Sequence, residues 1–573
     1  MGLFAKKSIS SLLSETSDKH GMKRTLSTGE LIALGIGVII GAGLFSITGV
    51  AAGEYAGPGI IISFIIAAIG CAFAGLCYAE FSSTIPIAGS AYTYSYATMG
   101  EFFAWIIGWD LILEYAVGSA TIASSWSGYF YELLHSLGFG ISRQLMMTPF
   151  ETMTLPGGEI VHGIINLPSV FIVTIMSLIL IHGTKGSARL NSIIVVLKVT
   201  IVLLFIFIGF KYIDKDNLTP FIPTNQGTFG KFGWTGILRA AGVIFFAYMG
   251  FDAVSTAAQE TKNPQKSMPY GILGSLLICT VLYILFAYVM VGVANYKLFC
   301  GGGSDLAPVA TAINHMGKMG ANGIIIPAYP WLNRIIMVAI LLGYSSVILV
   351  LLLGQSRVFY SMSRDGLVSP LFSHLHSKYN TPAKSNLLFM IFVSSIAAFV
   401  PGKIIGEMSS IGTLFAFILV CIGIIIIRRN RPDIKPVFKT PWVPLIPILG
   451  VLVCFLMMLA LNIDTWIRLV VWMMIGFDIY LIRGPKYSKL SKNDSYVDKR
   501  RMQKVTAICG LGLCVLLAVF TYLHHSLGMS SNIDLIVFNA IIVVHLVNYC
   551  VFIFNIRLVG QFKLLCSFLK ITR

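Results

Sequence analysis

Charged side chains inside long apolar runs are the residues of this sequence best suited to do chemistry. Lys198 lies in the run NSIIVVLKVTIVLLF, roughly 14 Å along a helix from Arg189 at about 1.5 Å per residue. That distance exceeds the easy reach of a lysine that snorkels to the membrane surface, which is the alternative interpretation. Because burial disfavours the charged form of an ammonium group, Lys198 is predicted to carry a proton near neutral pH.

Carboxyl groups also lie within or beside apolar runs, where ionisable groups indicate function by default because they are costly. Asp110 and Glu114, in GWDLILEYAVG, are spaced to share one face of a helix. One of them could pair with Lys198, while a purely structural ion pair is the alternative for each. Asp252 either hydrogen-bonds backbone amides that a helix break frees or contacts a substrate. Glu80, in CYAEF near the end of its run, is predicted to belong to an inner gate or cap.

The sequence lacks the groups that would indicate an enzyme. His182, His374 and His376 have no other typical metal ligands at a suitable spacing. The ten cysteines form no CxxC pair and lie mostly in apolar runs. No nucleophile stands beside a candidate base. We therefore predict no enzymatic activity and no metal or cofactor, with a proton as the coupling ion.

A glycine-rich stretch at residues 35–49, GIGVIIGAGLFSITG, is the segment most able to position a ligand. Each glycine costs a helix interior roughly 1 kcal/mol relative to alanine, so this helix is predicted to break. In a membrane, freed N–H and C=O groups are tolerated only where they line a cavity or meet a ligand. The step Gly41, Ala42, Gly43 is therefore a candidate anion site before a new helix start, with close glycine packing against a neighbouring helix as the alternative.

A second interrupted helix is predicted at residues 243–258, VIFFAYMGFDAVSTAA, where Gly250 breaks an aromatic-rich span. Counted along the chain, the two broken helices are the first and sixth of the predicted membrane spans. Each is therefore the first span of a group of five, spans 1–5 and spans 6–10. Broken helices in corresponding positions indicate an inverted repeat with the binding site between its halves.

Composition indicates a polytopic helical membrane protein. Of 573 residues, 56% are hydrophobic and only 11% are charged, whereas a soluble domain would carry roughly 25% charged residues. A span needs about 20 apolar residues, and this rule predicts about fourteen spans. They are placed at 30–50, 59–83, 95–129, 168–182, 189–211, 234–257, 271–295, 334–359, 385–401, 408–427, 442–461, 464–483, 504–523 and 534–556.

The net charge of +17 orients the protein rather than binding nucleic acid, because basic residues cluster in alternate loops. The clusters are Lys185 and Arg189; Lys262 and Lys266; Arg357, Arg364, Lys378 and Lys384; Arg428, Arg429, Arg431, Lys435 and Lys439; and residues 486–504. This pattern predicts a protein of the cell (plasma or inner) membrane with both termini in the cytosol. The basic residues Lys563, Lys570 and Arg573 near the C-terminus agree with this orientation. The polar N-terminus has no separate apolar core with a cleavage site, so no signal peptide is expected.

The predicted domains follow from the spans. They are a cytosolic tail (1–28), a first repeat of spans 1–5 (29–211), an outer loop with spans 6–10 (212–428), spans 11–12 (429–484), a cytosolic linker (485–503), and spans 13–14 with the C-terminal tail (504–573).

Several longer motifs stand along the chain: GIGVIIGAGLF, CYAEF, GSAYTYSY after Pro86, GW-x-L-x-LEY, FFAYMGFDAVSTAAQETKNPQKSMPYGI, LLGQSRVFYSMSRDGL and PILGVLVCFLMMLALNIDTWIR. They resemble the amino acid–polyamine–organocation superfamily, and within it the cationic amino acid transporter family of bacterial type. The resemblance covers residues 31–484 and implies an amino acid permease with the five-plus-five inverted-repeat fold. Spans 13 and 14 lie outside it, although animal members of this family also have fourteen spans.

The resemblance also implies roles for individual residues. The substrate carboxylate would meet span 1 amides and the substrate ammonium would meet span 6 carbonyls, with Phe246 as an aromatic lid. Lys198 matches a family lysine that would bridge span 1 carbonyls near Gly37 to Ser345 and Ser346 of span 8. Glu114 matches a family acid and is the expected proton partner of Lys198. The substrate-binding residues so implied are Ile40, Gly41, Ala42, Gly43, Phe246, Ala247 and Met249.

The expected function is proton-coupled symport of an amino acid by alternating access. An exchanger or facilitator without proton coupling is the nearest alternative, and a nutrient receptor that does not transport is a remote one. Light chains of heteromeric transporters carry a cysteine in the outer loop after span 3. Residues 131–166 contain none, so no disulfide-linked partner is expected. The sequence leaves open whether the substrate is cationic or small and neutral.

Overall fold

The computed structural model describes most of the chain. The described residues are 6–7, 26–87, 89–140, 142–154, 160–182, 187–299, 307–319, 325–376, 379, 381–432, 434, 436–489, 499–527 and 532–554. Most of the predicted N-terminal tail lies outside these residues, as do residues 490–498 of the predicted linker, Lys185, Lys378, Lys435 and the terminal Lys563, Lys570 and Arg573.

The described chain is mostly helical, which confirms the predicted all-α polytopic fold. Its main helices are α1 (Thr28–Ile39), α2 (Ile60–Thr84), α3 (Glu101–Ser136), α4 (Leu167–His182), α5 (Ser187–Gly209), α6 (Gly233–Ile244), α7 (Pro264–Val293), α8 (Pro330–Arg364), α9 (Ala383–Phe399), α10 (Gly402–Asn430), α11 (Leu445–Leu459), α12 (Ile463–Tyr487), α13 (Lys499–Ser526) and α14 (Asn532–Phe554). Short helices lie at Thr48–Ala51, Ser90–Thr98, Phe251–Ser255 and Pro308–Asn314.

Each predicted span coincides with a helical segment. In the described part, ten helical stretches are long and apolar enough to cross a membrane, and α1, α4, α9 and α11 are shorter apolar helices. Two antiparallel hairpins interrupt the helical pattern in the connections α3–α4 and α7–α8. They pair β1 (Thr152–Thr154) with β2 (Ile160–His162) and β3 (Gly317–Met319) with β4 (Ile325–Pro327).

Local sequence explains where helices begin and end. α1 starts with a capping box, in which the Ser27 amide donates to Glu30 Oε2 (2.7 Å) and the Glu30 amide to Ser27 Oγ (3.4 Å). α7 has Pro264 at its first position, where the missing N–H of proline costs no hydrogen bond within the helix. α10 ends with Arg428 and Arg429 in its last turn, where cations complement the helix dipole.

The packing of the first ten helices has the symmetry expected of two repeats. α2 packs along α7, α3 along α8 and α4 along α9, so each of these three helices meets its counterpart five positions later. α3 also packs along α10, and α1 packs along α7. Residues near the two helix breaks therefore lie where the repeats meet.

Contacts divide the chain into two compact units. The first contains the described residues of Lys6–Arg364 and Ser369–Asn462, and therefore α1–α11. The second contains Asp365–Val368 and the described residues from Ile463 onward, and therefore α12–α14. The contacts thus group α11 with the first ten helices and α12 with the last two, whereas the sequence-based division put α11 and α12 together.

Within the second unit, polar side chains join α12 to α13 and α14. Asn548 Nδ2 donates to Asp478 Oδ1 (2.7 Å), and His545 Nδ1 lies 2.7 Å from Asp478 Oδ2. His524 Nε2 lies 2.8 Å from Asp464 Oδ1. Such polar contacts act as glue between helices in lipid, where no hydrophobic driving force brings helices together.

Candidate functional site

The first helix break lies at the predicted step. α1 ends at Ile39, Ile40 is extended (φ −71°, ψ 99°), and a π-helical turn follows at Gly43–Ile47. The Ile40 amide still donates to Ile36 O (2.9 Å). Among the described residues, the N–H groups of Gly41, Ala42 and Gly43 have no hydrogen-bond acceptor. These buried donors are the unsatisfied groups that a ligand would complete.

The second break separates α6 from the helix Phe251–Ser255. A 3₁₀ turn spans Phe245–Tyr248, Met249 is extended (ψ 138°), and Gly250 has φ 110°. A Cβ at position 250 would lie 2.4 Å from Val38 Cγ1 of α1. Gly250 is therefore required both for its left-handed backbone and for the space it leaves to α1.

The two breaks contact each other through their backbones. A Cβ at Gly43 would lie 2.1 Å from Ala247 Cα, so only a glycine allows this approach. The Tyr283 hydroxyl of α7 lies 2.6 Å from Ile39 O and 2.9 Å from Ala247 O, and its single proton is shared between the two carbonyls. Tyr283 stands in the apolar run ICTVLYILFAYV and carried no signal that distinguished it in the sequence.

Other glycines of residues 35–49 allow close helix packing, which was the alternative to a ligand site in the sequence analysis. A Cβ at Gly35 would lie 2.4 Å from Ser275 Oγ of α7, and one at Gly49 would lie 2.3 Å from Pro308 Cβ. Gly41 has more room, because a Cβ there would lie 3.5 Å from Val347 Cγ2 of α8. The glycine-rich stretch therefore combines close packing with a helix break.

Lys198 binds the end of the first helix half. Its side chain is only 1% exposed, and Nζ donates to Gly37 O (2.7 Å) and Ile40 O (3.1 Å). A Cβ at Gly343 of α8 would lie 2.9 Å from Lys198 Cε, so the lysine stem passes directly over this glycine. Gly343 was not predicted to belong to the site, although it lies only two residues before Ser345, which was.

Ser345 and Ser346 of α8 do not hydrogen-bond to the ammonium group of Lys198 in this structure. Ser345 Oγ donates to Leu341 O (2.8 Å), and Ser346 Oγ donates to Gly343 O (3.0 Å). Both hydroxyls thus bond within their own helix, as serine commonly does in apolar surroundings. The expected bridge from span 1 to Ser345 and Ser346 is replaced here by contact of the lysine with Gly343.

The buried acids form a cluster of their own. Asp252 accepts from the Tyr115 hydroxyl (2.7 Å) and from the Gly250 amide (3.3 Å), so it holds the second break. Glu114 faces both Asp110 and Asp252 at electrostatic range. The carboxylate oxygens of Asp110 are buried without a hydrogen-bond partner in the described part of the chain. The Glu114 carboxylate is buried beside the Thr413 hydroxyl, which itself donates to Ser409 O (3.0 Å).

Lys198 and Glu114 are not brought together. No carboxylate of the described residues lies within 4.0 Å of Lys198 Nζ. The ammonium group is held by backbone carbonyls instead. The site therefore contains two separate ionisable centres, one at the first break and one beside the second.

The remaining predicted site residues lie at the second break. Phe246 is buried, and its carbonyl accepts from the Met249 amide (3.1 Å). The Met249 side chain lies between α3 and α10: Sδ is 3.3 Å from Ser409 Oγ, and Cε would be 2.5 Å from a Cβ at Gly118. All residues of both breaks are buried, so the site is closed to solvent in this structure. In the described residues, no group of three or more His, Cys, Asp or Glu side chains could hold a metal ion.

Comparison with known proteins agrees with this architecture. The sequence profile of the family described as amino acid permease matches residues 26–479. The chain belongs to the amino acid permease family. It is therefore a multi-pass membrane transporter rather than an enzyme, and α13 and α14 lie beyond the matched region.

Individual relatives of the permease have diverse names. This chain is 40% identical over 491 residues to the methylthioribose transporter of Bacillus subtilis (strain 168). The matched region covers 86% of this chain and 99% of that protein. It is 41% identical over 493 residues to the branched-chain amino acid permease BcaP of the same organism, with the same coverage. It is 32% identical over 421 residues to the vacuolar cationic amino acid transporter 4 of Arabidopsis thaliana, covering 73% of this chain and 65% of that protein.

Replacing the glycine of the second break tests its backbone requirement. Gly250→Ala is expected to destabilise the permease by at least about 2 kcal/mol, because an L-residue is strained at φ 110° and its methyl group would overlap Val38. The measurement is the apparent melting temperature of purified protein in detergent. Gly29→Ala is the control, because nothing lies within 4 Å of that Cβ position. Equal melting temperatures for the two variants would contradict this account of the break.

Proposed function

We propose that this permease is a secondary active transporter that carries an amino acid into the cell by alternating access, coupled to protons. The observation that carries the proposal is the juxtaposition of two broken helices, one of which leaves the buried amides of Gly41, Ala42 and Gly43 without acceptors among the described residues. Such an arrangement suits a zwitterion, which brings an anion to the amides and a cation to nearby carbonyls.

The substrate contacts follow from which backbone groups are free. The carboxylate would accept from Gly41, Ala42 and Gly43, whereas the Ile40 amide already donates to Ile36 O and Ile40 contributes its carbonyl to Lys198. The ammonium would donate to carbonyls of Phe246, Ala247 and Met249. The first two already accept one hydrogen bond, but a carbonyl has two lone pairs and can accept a second. Phe246 would then cover the bound substrate.

We propose an orientation in which both termini and the basic loops face the cytosol. The described basic clusters at the ends of α8 and α10, with Arg364, Arg428 and Arg429, support it. The Lys403 end of α10 would then face outside, and the membrane would be the cell membrane.

Lys198 would couple the proton to the substrate through the first break. When it is charged, its hydrogen bonds to Gly37 O and Ile40 O are charge-assisted and about twice as strong as those of a neutral amine. Loss of the proton would weaken the restraint on the residues directly before the substrate amides. Protonation and the geometry of the break would therefore depend on each other.

Replacing Lys198 tests this coupling. Lys198→Ala is expected to abolish accumulation driven by an acid outside pH, because the proton-carrying group and the tie to both carbonyls are lost. The measurement is uptake into proteoliposomes with and without an inward proton gradient. Lys211→Ala, just past the end of α5 and exposed, is the control. Undiminished accumulation by the Lys198 variant at acid outside pH would overturn its assignment.

The acid cluster offers a second place for a proton. Like charges in a low-dielectric interior repel strongly, so we propose that Glu114, Asp110 and Asp252 together hold at least one proton. Glu114 would release it during the cycle, because the Thr413 hydroxyl beside its carboxylate already donates to Ser409 O, whereas Asp252 accepts from both Tyr115 and Gly250.

Neutralising Glu114 separates coupling from substrate binding. Glu114→Gln is expected to lower gradient-driven accumulation at least about tenfold, because a proton-transfer group is removed. Exchange of internal for external substrate should persist. Both rates can be measured in the same proteoliposomes. Glu132→Gln, near the other end of α3, is the matched control. Loss of exchange to the same extent as accumulation would place Glu114 in substrate binding instead.

The proposed function itself is tested by uptake of alanine, leucine, arginine and lysine into proteoliposomes, each with and without an inward proton gradient. Accumulation of any one that depends on the gradient would support proton symport and name the substrate class. Uptake that depends only on internal amino acid would support an exchanger, and downhill uptake alone a facilitator. No uptake of any of the four would contradict transport of these amino acids and favour a receptor or a different substrate.

A further inference from the structure

α10 carries a basic residue at each end, and each one binds an acidic residue from the first two spans. Lys403, in the first turn, forms an ion pair with Glu54, which follows the break of span 1. Arg428, in the last turn, forms an ion pair with Glu80 of α2. The helix between them packs along α3 and passes the second break, where Ser409 meets Met249.

At the Arg428 end, the Glu80 carboxylate is buried and accepts three hydrogen bonds. Arg428 Nε and Nη2 donate to the two carboxylate oxygens of Glu80 (2.6 and 3.0 Å), and the Thr440 amide donates to Glu80 Oε2 (2.7 Å). The Glu80 side chain is 3% exposed and that of Arg428 is 30% exposed. Bidentate charge-assisted bonds with a third donor to a buried carboxylate make a strong contact that water screens less than an exposed pair.

The contact at the Lys403 end is open to solvent. The Lys403 side chain is 53% exposed and that of Glu54 is 29% exposed. The neighbouring Tyr55 ring has Lys403 Nζ at 5.8 Å and the Arg239 guanidinium at 4.6 Å from its centre. An exposed pair formed by a flexible lysine contributes little free energy.

We propose that these two ion pairs are latches of unequal strength that close the two ends of the transport path. The inference rests on the proposed alternating access, in which α10 must separate from spans 1 and 2 at one end while it stays joined at the other. Because the Lys403–Glu54 latch is weaker, the empty protein opens at that end first. In the proposed orientation this is the outer face, as uptake requires.

Two buried reporter positions distinguish the ends. Thr121 of α3 lies 3.6 Å from the Cβ position of Gly406, one turn from Lys403. Ser255 neighbours Tyr94, whose ring stacks on Phe81 beside Glu80. Thr121→Cys and Ser255→Cys therefore report opening at the Lys403 end and the Arg428 end, respectively. Each would be labelled with a maleimide in lipid nanodiscs, and its labelling rate read from the peptide by mass spectrometry, so the native cysteines can stay.

The two latches predict increased labelling at different reporters and by different amounts. Arg428→Gln and Glu80→Gln should each raise labelling of the Ser255 reporter by about tenfold or more, because a buried pair is lost. Lys403→Gln should raise labelling of the Thr121 reporter by about two- to threefold, because an exposed pair is lost. The double reversal Glu54→Lys with Lys403→Glu should restore the wild-type rate. Arg429→Gln and Lys231→Gln are controls that remove an exposed charge near the same ends.

Several outcomes would overturn the proposal. They are an unchanged Ser255 reporter in folded Arg428→Gln, an equal effect of Arg429→Gln, or labelling of both reporters together, which would indicate a loosened fold. If Arg428→Gln does not fold, Arg428→Lys keeps the charge but loses the bidentate geometry, and a smaller rise of the same reporter is expected. Labelling needs no substrate, so a failure of the latches is distinguishable from a failure of amino acid transport.

Discussion

The structure depends on one constraint: backbone N–H and C=O groups that leave a helix inside a membrane must find partners where no water is available. Breaks in spans 1 and 6 expose such groups at the same depth, where the two repeats meet. Neighbouring side chains satisfy most of them, Lys198 and Tyr283 by donating to carbonyls and Asp252 by accepting from an amide. The amides that remain define what a ligand must bring, which is negative charge at the first break.

Glycine makes this arrangement sterically possible. Gly43 lets the two breaks touch, Gly250 supplies the left-handed backbone of the second, and Gly343 admits the lysine stem. The ionisable groups then divide by position. Lys198 acts on the first break through carbonyls, while the acids lie beside the second break and without a basic partner among the described residues. Coupling between them would pass through the backbone of the two breaks rather than through an ion pair.

Much of the fold was predictable because it depends on local composition. Apolar length placed the spans, a glycine cluster placed the first break and the single Gly250 placed the second, since each signal lies within one short segment. Lys198 stood out because a charge in an apolar run needs a reason. Tyr283 and Gly343 could not be found this way, because an apolar run accommodates tyrosine and glycine for many reasons. The Lys198–Glu114 contact was expected from resemblance, but which charges meet depends on helix rotation and depth, which spacing along one helix does not determine. Likewise, Glu80 was recognised as a gate candidate, but its partner Arg428 lies 348 residues away in sequence.

The most direct test of the central claim is to measure binding of a transported amino acid and of two derivatives to the purified protein by calorimetry. One derivative is the amide, which lacks the carboxylate, and the other is the N-acetyl compound, which lacks the ammonium. If the two breaks recognise a zwitterion, each derivative should bind at least about tenfold more weakly, since a hydrogen bond to a charged group contributes about 1.5–3 kcal/mol. Equal affinity of the amide and the parent amino acid would contradict the assignment of the free amides of the first break to the substrate carboxylate.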